Sequence, residues 1–192
     1  MSENTAAQTS AARTVATADH GKLDIQALVL LAVLLAAGFI LNFTVGKAIS
    51  GISGGLISPE FIISAFCLTI LVVRPNLPQA LVIGLISAAV IQITTTSPFI
   101  DFAAEGIAAM LMAVIVKFGM ETPAKAIIPV AGTFVTTAVS GVIFMLIKIA
   151  MVGAAGELAA AMLPVVLLTA VFNAVLVQAL YLPIRKALKL AD

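Results

Sequence analysis

The chain has little of what soluble proteins place on their surfaces and in their active sites. Only 10% of its 192 residues are charged, it has one cysteine, one histidine and one tyrosine, and it has no tryptophan. Soluble domains average about 25% charged residues. Here 62% of the residues are hydrophobic, and the mean hydropathy is +1.21. Most of the chain is therefore predicted to lie in lipid, as an integral membrane protein.

The scarcity of histidine and cysteine excludes the common catalytic and metal-binding motifs. The chain contains no HExxH or CxxC sequence; His20 lies in a polar stretch and Cys67 in an apolar one. A single cysteine in such a place packs as a small core residue. Lys47 follows a glycine, but the earlier glycine of a phosphate-binding loop is missing. We therefore predict no enzymatic activity, no metal and no cofactor, with any ATP hydrolysed by another chain.

Charge is dispersed as well as scarce. The formal net charge is +1, and lysine and arginine form no cluster of the kind that a nucleic-acid partner requires. Residues 1–21 are small and polar and lack the apolar core of a secretory signal, so they are predicted to be a disordered cytoplasmic tail. Residues 22–192 are predicted to form a single transmembrane domain, because several spans leave no room for a separate soluble domain.

Six apolar runs follow the tail. The first is about twenty residues long, which at about 1.5 Å per residue matches the roughly 30 Å of bilayer hydrocarbon. Glycine, serine, proline or charge separates the runs, beginning with a predicted flexible loop at residues 46–55. The predicted spans are residues 26–45, 56–73, 79–94, 102–118, 126–152 and 158–184. The predicted fold class is an all-α integral membrane protein with a six-transmembrane-helix bundle.

The basic residues predict the orientation of this bundle. With both termini in the cytoplasm, only Lys47 and Lys148 of the ten lysines and arginines lie outside, which leaves eight inside. This distribution follows the rule that cytoplasmic loops carry the excess of positive charge. The loops after the first, third and fifth spans then face outward. The chain is thus predicted to be a multi-pass protein of a bacterial cell membrane.

Polar side chains gather at the predicted outer ends of the spans. Asp101 and Glu105 are four residues apart and so share one helix face. An ionisable group within a span costs on the order of 2.5 to 3.5 kcal/mol and usually faces the bundle interior or a water-filled site. For Asp101 and Lys47, a place in the headgroup layer is an equal alternative. The predicted polar binding residues are Glu105, Glu60, Asn42, Gln92, Lys148 and Asp101.

Phenylalanines accumulate in the same outer half. Apolar walls with a few convergent polar groups are typical of a small-molecule pocket. Anchoring at the membrane interface is the alternative, although tryptophan and tyrosine serve there more often. The outer phenylalanines are Phe39, Phe43, Phe61, Phe99, Phe102 and Phe144, and the first four are predicted to line the pocket. In the inner half, hydrogen bonds between helices are predicted for Asn173, Gln178, Thr133, Thr136, Thr137 and Ser140.

Ala32 and Ala36 lie one helical turn apart in the first span. Small residues at this spacing remove bulk from one face and let another helix approach closely. The pair is therefore a candidate docking site for a partner. Contact with lipid or packing within the bundle is the alternative, because the same spacing recurs elsewhere, for example at Ala104 and Ala108.

Residues 28–188 resemble the substrate-binding S components of energy-coupling factor (ECF) transporters, and within that group the bacterial tryptophan transporter family. The resemblance rests on GGLISPEF, the Arg-Pro after the second span, LVIGLISAAVIQITTTSPF, GTFVTTAVSGVIF and LPVVLLTAVFNAVL. It implies uptake of a small substrate from an outward-opening site. It also implies that Ala32 and Ala36 meet a membrane-embedded coupling subunit, whose ATPase partners power release into the cell.

The substrate expected from this resemblance is tryptophan. Glu105 or Glu60 would bind the ammonium, Lys148 or Lys47 the carboxylate, and an amide side chain the indole N–H. S components for different substrates share one architecture, so a vitamin or vitamin precursor is the alternative. Two other classes stay open. One is a solitary proton-coupled secondary transporter with Glu60 or Glu105 as the protonated group; the other is a non-transport assembly factor or scaffold.

Overall fold

The computed structural model describes residues 23–52, 60–95, 97–153 and 155–188. Within these ranges the chain is helical throughout apart from short turns, and it forms no strand. The all-α class predicted from the sequence is therefore confirmed. The predicted disordered tail at residues 1–21 lies outside the described residues.

The first helix is longer than predicted. α1 (Ile25–Leu41) begins after Asp24, whose side chain accepts a 2.7 Å hydrogen bond from the Ala27 N–H. A π-helical turn (Asn42–Gly46) and α2 (Lys47–Ile52) continue it without a break. The predicted loop at 46–55 is therefore wrong over residues 46–52, and residues 53–55 lie outside the described residues. Glycine lowers helix propensity by only about 1 kcal/mol, and in an apolar setting a helix satisfies its backbone groups internally.

Five further helices complete the described structure. They are α3 (Phe61–Val73), α4 (Leu77–Ile91), α5 (Ile100–Gly119), α6 (Ile128–Val152) and α7 (Ala155–Ala187), with a short 3-10 turn (Pro123–Ala126) before α6. The connection between α3 and α4 is short because Arg74 adopts a left-handed conformation at φ 52°, and Asn76 and Gln79 form a capping box that starts α4.

Four of the described helices are long and apolar enough to cross a membrane. They are Ile25–Ile52, Ile100–Gly119, Ile128–Val152 and Gly156–Ala187. This is compatible with a multi-pass membrane protein. α3 and α4 are also apolar, but their 13 and 15 residues extend about 20 and 22 Å at about 1.5 Å per residue. The count of six spans therefore stays a prediction.

α3 is the central helix of the bundle. All of its residues from Phe61 to Val72 are buried, and it packs against α1, α4, α5, α6 and α7. Phe66 and Ile70 are fully buried within it. A helix surrounded in this way is apolar on every side, as α3 is. Its N-terminus, at Glu60, is the point around which the polar residues of the bundle gather.

α4 and α5 approach closely at Gly84. A Cβ atom at this position would lie 2.5 Å from the backbone oxygen of Glu105 and 2.8 Å from the Cβ of Ala109. Backbone atoms inside a helix cannot move aside individually. The absence of a side chain at Gly84 thus sets the position of the turn of α5 that carries Glu105.

Gly84→Ala is expected to lower the midpoint of thermal unfolding, because the added methyl group forces α4 and α5 apart at a cost of about 1 to 3 kcal/mol. The protein in detergent can be followed by circular dichroism. Gly51→Ala is the matched control, since Gly51 lies in α2 and a Cβ there meets no atom within 4 Å. Equal midpoints for the two variants would contradict the close approach.

Candidate functional site

One end of the bundle contains a cavity of about 400 Å³. This volume lies within the range of about 300 to 1,000 Å³ found for small-molecule sites. Its walls come from the α1 to α2 helix, from the start of α3, from the segments on either side of the α4 to α5 connection, and from α6 and α7. The lining residues that carry charge or an aromatic ring are Phe43, Lys47, Glu60, Asp101, Glu105 and Phe144.

Glu60 is positioned by Asn42, the first residue of the π-helical turn. Asn42 Nδ2 donates a 2.7 Å hydrogen bond to Glu60 Oε1, and Asn42 Oδ1 accepts one of 3.2 Å from the Phe61 N–H. That N–H belongs to the first turn of α3, where backbone donors have no partner within the helix. Asn42 thus joins the first helix to the start of α3 and holds the carboxylate at the cavity. The structure brings these two predicted site residues together.

Asp101 is held by Gln92 at the end of α4. Gln92 Nε2 donates to Asp101 Oδ2 at 3.2 Å, and Gln92 Oε1 accepts from the Phe99 N–H at 3.0 Å. Asp101 lines the cavity, whereas Gln92 does not. Phe99 adopts a left-handed conformation at φ 70°, and its side chain is 76% exposed. Gln92 therefore acts on the site by orienting Asp101, and the exposed Phe99 ring does not line the cavity.

Glu105 lies on α5 and is only 3% exposed. Its Oε1 accepts a 2.9 Å hydrogen bond from Ser140 Oγ on α6. Its Oε2 has no hydrogen-bond partner among the described residues, and neither has Thr137 Oγ1, which lines the same cavity. Glu105 is therefore the carboxylate of this site with an unused buried acceptor.

The two lysines predicted for the site lie in different places. Lys47 lines the cavity, with its ammonium nitrogen 4.5 Å from the centroid of the Phe43 ring. Lys148 Nζ donates a 3.1 Å hydrogen bond to Ser97 Oγ and lies 5.7 Å from the centroid of the Phe144 ring, outside the cavity wall. Lys47 is thus the better placed cation for a ligand anion.

The other phenylalanines predicted to line the pocket also lie in different places. Phe43 lines the cavity. Phe39 is half-buried and packs against the hydrophobic core. Phe61 is buried and makes an edge-to-face contact with Phe172, with ring centroids 5.7 Å apart. Phe39 and Phe61 therefore pack between the helices around the cavity and do not line its wall.

Sequence reasoning missed Thr137 and Ser140 as cavity residues, having assigned them to hydrogen bonds between helices. Ser140 makes such a bond, to Glu105, and Thr136 Oγ1 makes another, to Met112 Sδ at 3.4 Å. The available signal was their spacing of three residues, which places Thr137 and Ser140 on one face of α6. Thr169, Val166 and Met162 of α7 also line the cavity, and no pattern in the sequence indicated them.

The predicted docking residues lie on the outside of the bundle. Ala32 and Ala36 are exposed, while Leu31 and Leu35 face the core. Val33 and Ile40, on the same exposed side of α1, are 60% and 61% exposed. The structure therefore leaves the alanine pair available to lipid or to a partner, and it does not use the pair for packing within the described bundle.

Within the described ranges no group of three His, Cys, Asp or Glu side chains is placed to hold a metal ion. Comparison of the chain with protein-family models, with curated proteins and with solved structures gives no match. The indication of function therefore comes from the cavity and from the residues that line it.

Proposed function

We propose that this protein is the substrate-binding subunit of an uptake system in a bacterial cell membrane, with six spans and both termini in the cytoplasm. The observation that carries the proposal is the cavity of about 400 Å³, which combines Glu60, Asp101 and Glu105 with apolar and aromatic walls. A few polar groups in an apolar pocket fix a small ligand and give it specificity. In the orientation predicted from the charge distribution, the cavity lies at the outer end of the bundle.

Tryptophan is the substrate we propose. Its indole ring suits walls that contain Phe43, Phe144 and Ile63. Its ammonium suits the free Oε2 of Glu105, and its carboxylate suits Lys47. Since architecture does not choose a ligand, a vitamin or vitamin precursor is the alternative within the same transport class.

The partners that we propose are an ECF coupling subunit in the membrane and its ATPase subunits. The exposed alanine pair on α1 supports a close helix contact, because small residues let backbones approach in lipid. In this arrangement the protein is not an enzyme, and ATP is hydrolysed by the partners.

A solitary proton-coupled transporter is the second candidate. It is favoured by the three carboxylates around one cavity, since ionisable residues among membrane helices often form proton relays. The two candidates differ in one requirement: uptake by the first needs the coupling and ATPase subunits, whereas uptake by the second proceeds in their absence and depends on the proton gradient. Uptake of labelled tryptophan by cells with and without a coupling module separates them.

Binding of tryptophan to the purified protein is expected to be directly visible in the ligand's own fluorescence. The chain has no tryptophan and one tyrosine, so indole emission comes from the ligand alone. Its anisotropy should rise on titration with protein. A ligand at about 100 times its dissociation constant should also add about 2.7 kcal/mol of stability.

A parallel thermal-shift screen against vitamins is the control for this titration. A shift with a vitamin and none with tryptophan would favour the alternative substrate. Absence of a shift with every amino acid and vitamin would contradict a binding subunit and favour a scaffold. Cys67 is fully buried, so a thiol-reactive dye reports unfolding in this screen.

A further inference from the structure

Two buried oxygen atoms in the cavity wall have no hydrogen-bond partner among the described residues. They are Glu105 Oε2 and Thr137 Oγ1, on side chains that are 3% and 2% exposed. Buried polar atoms in folded proteins are paired in roughly nine cases out of ten, and each exception requires an explanation. Both side chains line the cavity, so a molecule in the cavity can supply the missing partner.

Ser140 links the two side chains that carry these atoms. Its hydroxyl donates to Glu105 Oε1 at 2.9 Å and so ties α6 to α5. Thr137 precedes Ser140 by three residues, which puts the two side chains on one helix face about 5 to 6 Å apart at Cβ. The free carboxylate oxygen, the Thr137 hydroxyl and the remaining lone pairs of Ser140 Oγ therefore lie in one region of the wall, which we call the α5–α6 oxygen cluster.

The chemistry of the α5–α6 oxygen cluster suits a cation that donates hydrogen bonds. An ammonium group carries three N–H donors and no acceptor, which matches three oxygen acceptors, one of them from a carboxylate. Hydrogen bonds between charged groups of this kind are stronger than those between neutral groups. A ligand carboxylate at the same place would meet the charge of Glu105 and have only the Thr137 hydroxyl as a donor, because the Ser140 hydroxyl already donates to Glu105.

The charges elsewhere around the cavity point to the same ligand class. Among its described lining residues, Glu60, Asp101 and Glu105 are acidic, and Lys47 is the single basic one. Lys47 is exposed, and its ammonium lies over the Phe43 ring. A ligand carboxylate thus has one basic partner, the exposed Lys47, whereas a ligand ammonium has three acidic partners.

Building on the proposed function, we propose that Glu105, Thr137 and Ser140 form a site for a primary ammonium group, and that the substrates are amines with an apolar body. The ammonium binds at the α5–α6 oxygen cluster, and the apolar body contacts Phe43, Ile63 and Phe144. The amine determines affinity, and a carboxylate on the ligand adds less.

Tryptamine and indole-3-propionate test this assignment on the unmodified full-length protein. The first lacks the carboxylate of tryptophan and the second lacks its ammonium. We expect tryptamine to bind at least about tenfold more tightly than indole-3-propionate. The reason is that the loss of hydrogen bonds to a charged group costs more free energy than a tenfold change in affinity. Dissociation constants come from the indole anisotropy of each ligand.

Thr137→Val tests the hydroxyl. It removes the oxygen at nearly constant shape and is expected to weaken tryptamine binding about tenfold, while Thr137→Ser keeps affinity within about threefold. Thr136→Val is the matched control, because Thr136 is equally buried on α6 but bonds to Met112 and does not line the cavity. Thr136→Val is expected to bind tryptamine as the unmodified protein does.

Three results would overturn the assignment. They are equal affinities for tryptamine and indole-3-propionate, no binding of tryptamine, and equal tryptamine affinities for Thr137→Val and Thr136→Val. Tryptophan binding and uptake are measured alongside. If they persist in any of these cases, the ammonium site is refuted and the proposed function stands; if neither is found, the ammonium site and tryptophan as the substrate both fall.

Discussion

Glu105→Gln is expected to weaken tryptophan binding at least about a hundredfold. The substitution keeps the size of the side chain, and its amide oxygen can still accept from Ser140, but it removes the charge that compensates a bound ammonium. Breaking one partner of a desolvated charge pair costs about 3 to 5 kcal/mol, and each 1.4 kcal/mol is a tenfold change in affinity. Titration of the purified variant with tryptophan, followed by ligand anisotropy, measures the effect.

Glu157→Gln is the matched control, because Glu157 is exposed near the start of α7 and does not line the cavity. Its tryptophan affinity should equal that of the unmodified protein. A neutral vitamin, if it binds, should be affected far less by Glu105→Gln than tryptophan is. Unchanged tryptophan affinity in Glu105→Gln would remove this carboxylate from the site and leave Glu60 as the next residue to test.

Ala32→Trp or Ala36→Trp is expected to abolish energised uptake and to leave substrate binding to the isolated protein nearly intact. Both alanines are exposed on α1, away from the cavity. An indole ring on this face would hold a neighbouring helix away from the close contact that small residues permit. Uptake by cells that contain the coupling module and tryptophan binding to the purified variant are measured separately. Because each variant carries its own indole, binding is followed with labelled ligand.

Ala179→Trp is the control for the added size of the tryptophan side chain. Ala179 is also exposed, on α7 rather than α1, so the same substitution there should reduce neither uptake nor binding. Loss of binding in parallel with uptake for the α1 variants would contradict a docking role and assign these alanines to the integrity of the bundle. Full uptake by both α1 variants would exclude this face as the contact with a coupling subunit.

Part of the site could be predicted because two of its residues lie on the same helix. Asp101 and Glu105 are four residues apart, so their common face follows from helix geometry alone, and both line the cavity. The sequence also predicts that Asn42 and Glu60 lie at the same outer end of the bundle, because one closes the first predicted span and the other opens the second. The bond between them depends on the π-helical turn, which no sequence pattern indicated. The roles of Gln92 and Lys148 depend on loop residues, Phe99 and Ser97, whose positions are set by the packing of α4 and α5.

The sequence by itself determined that the chain is helical and apolar enough for several spans, because length and hydropathy are properties of local segments. Only the tertiary structure decided that α3 is central, that the first helix continues to Ile52, and that Thr137 and Ser140 face the cavity. The physical reason is that lipid and a protein interior are both apolar. Hydropathy therefore cannot distinguish the face of a helix that meets lipid from the face that meets another helix, and that choice depends on contacts between residues far apart in the chain.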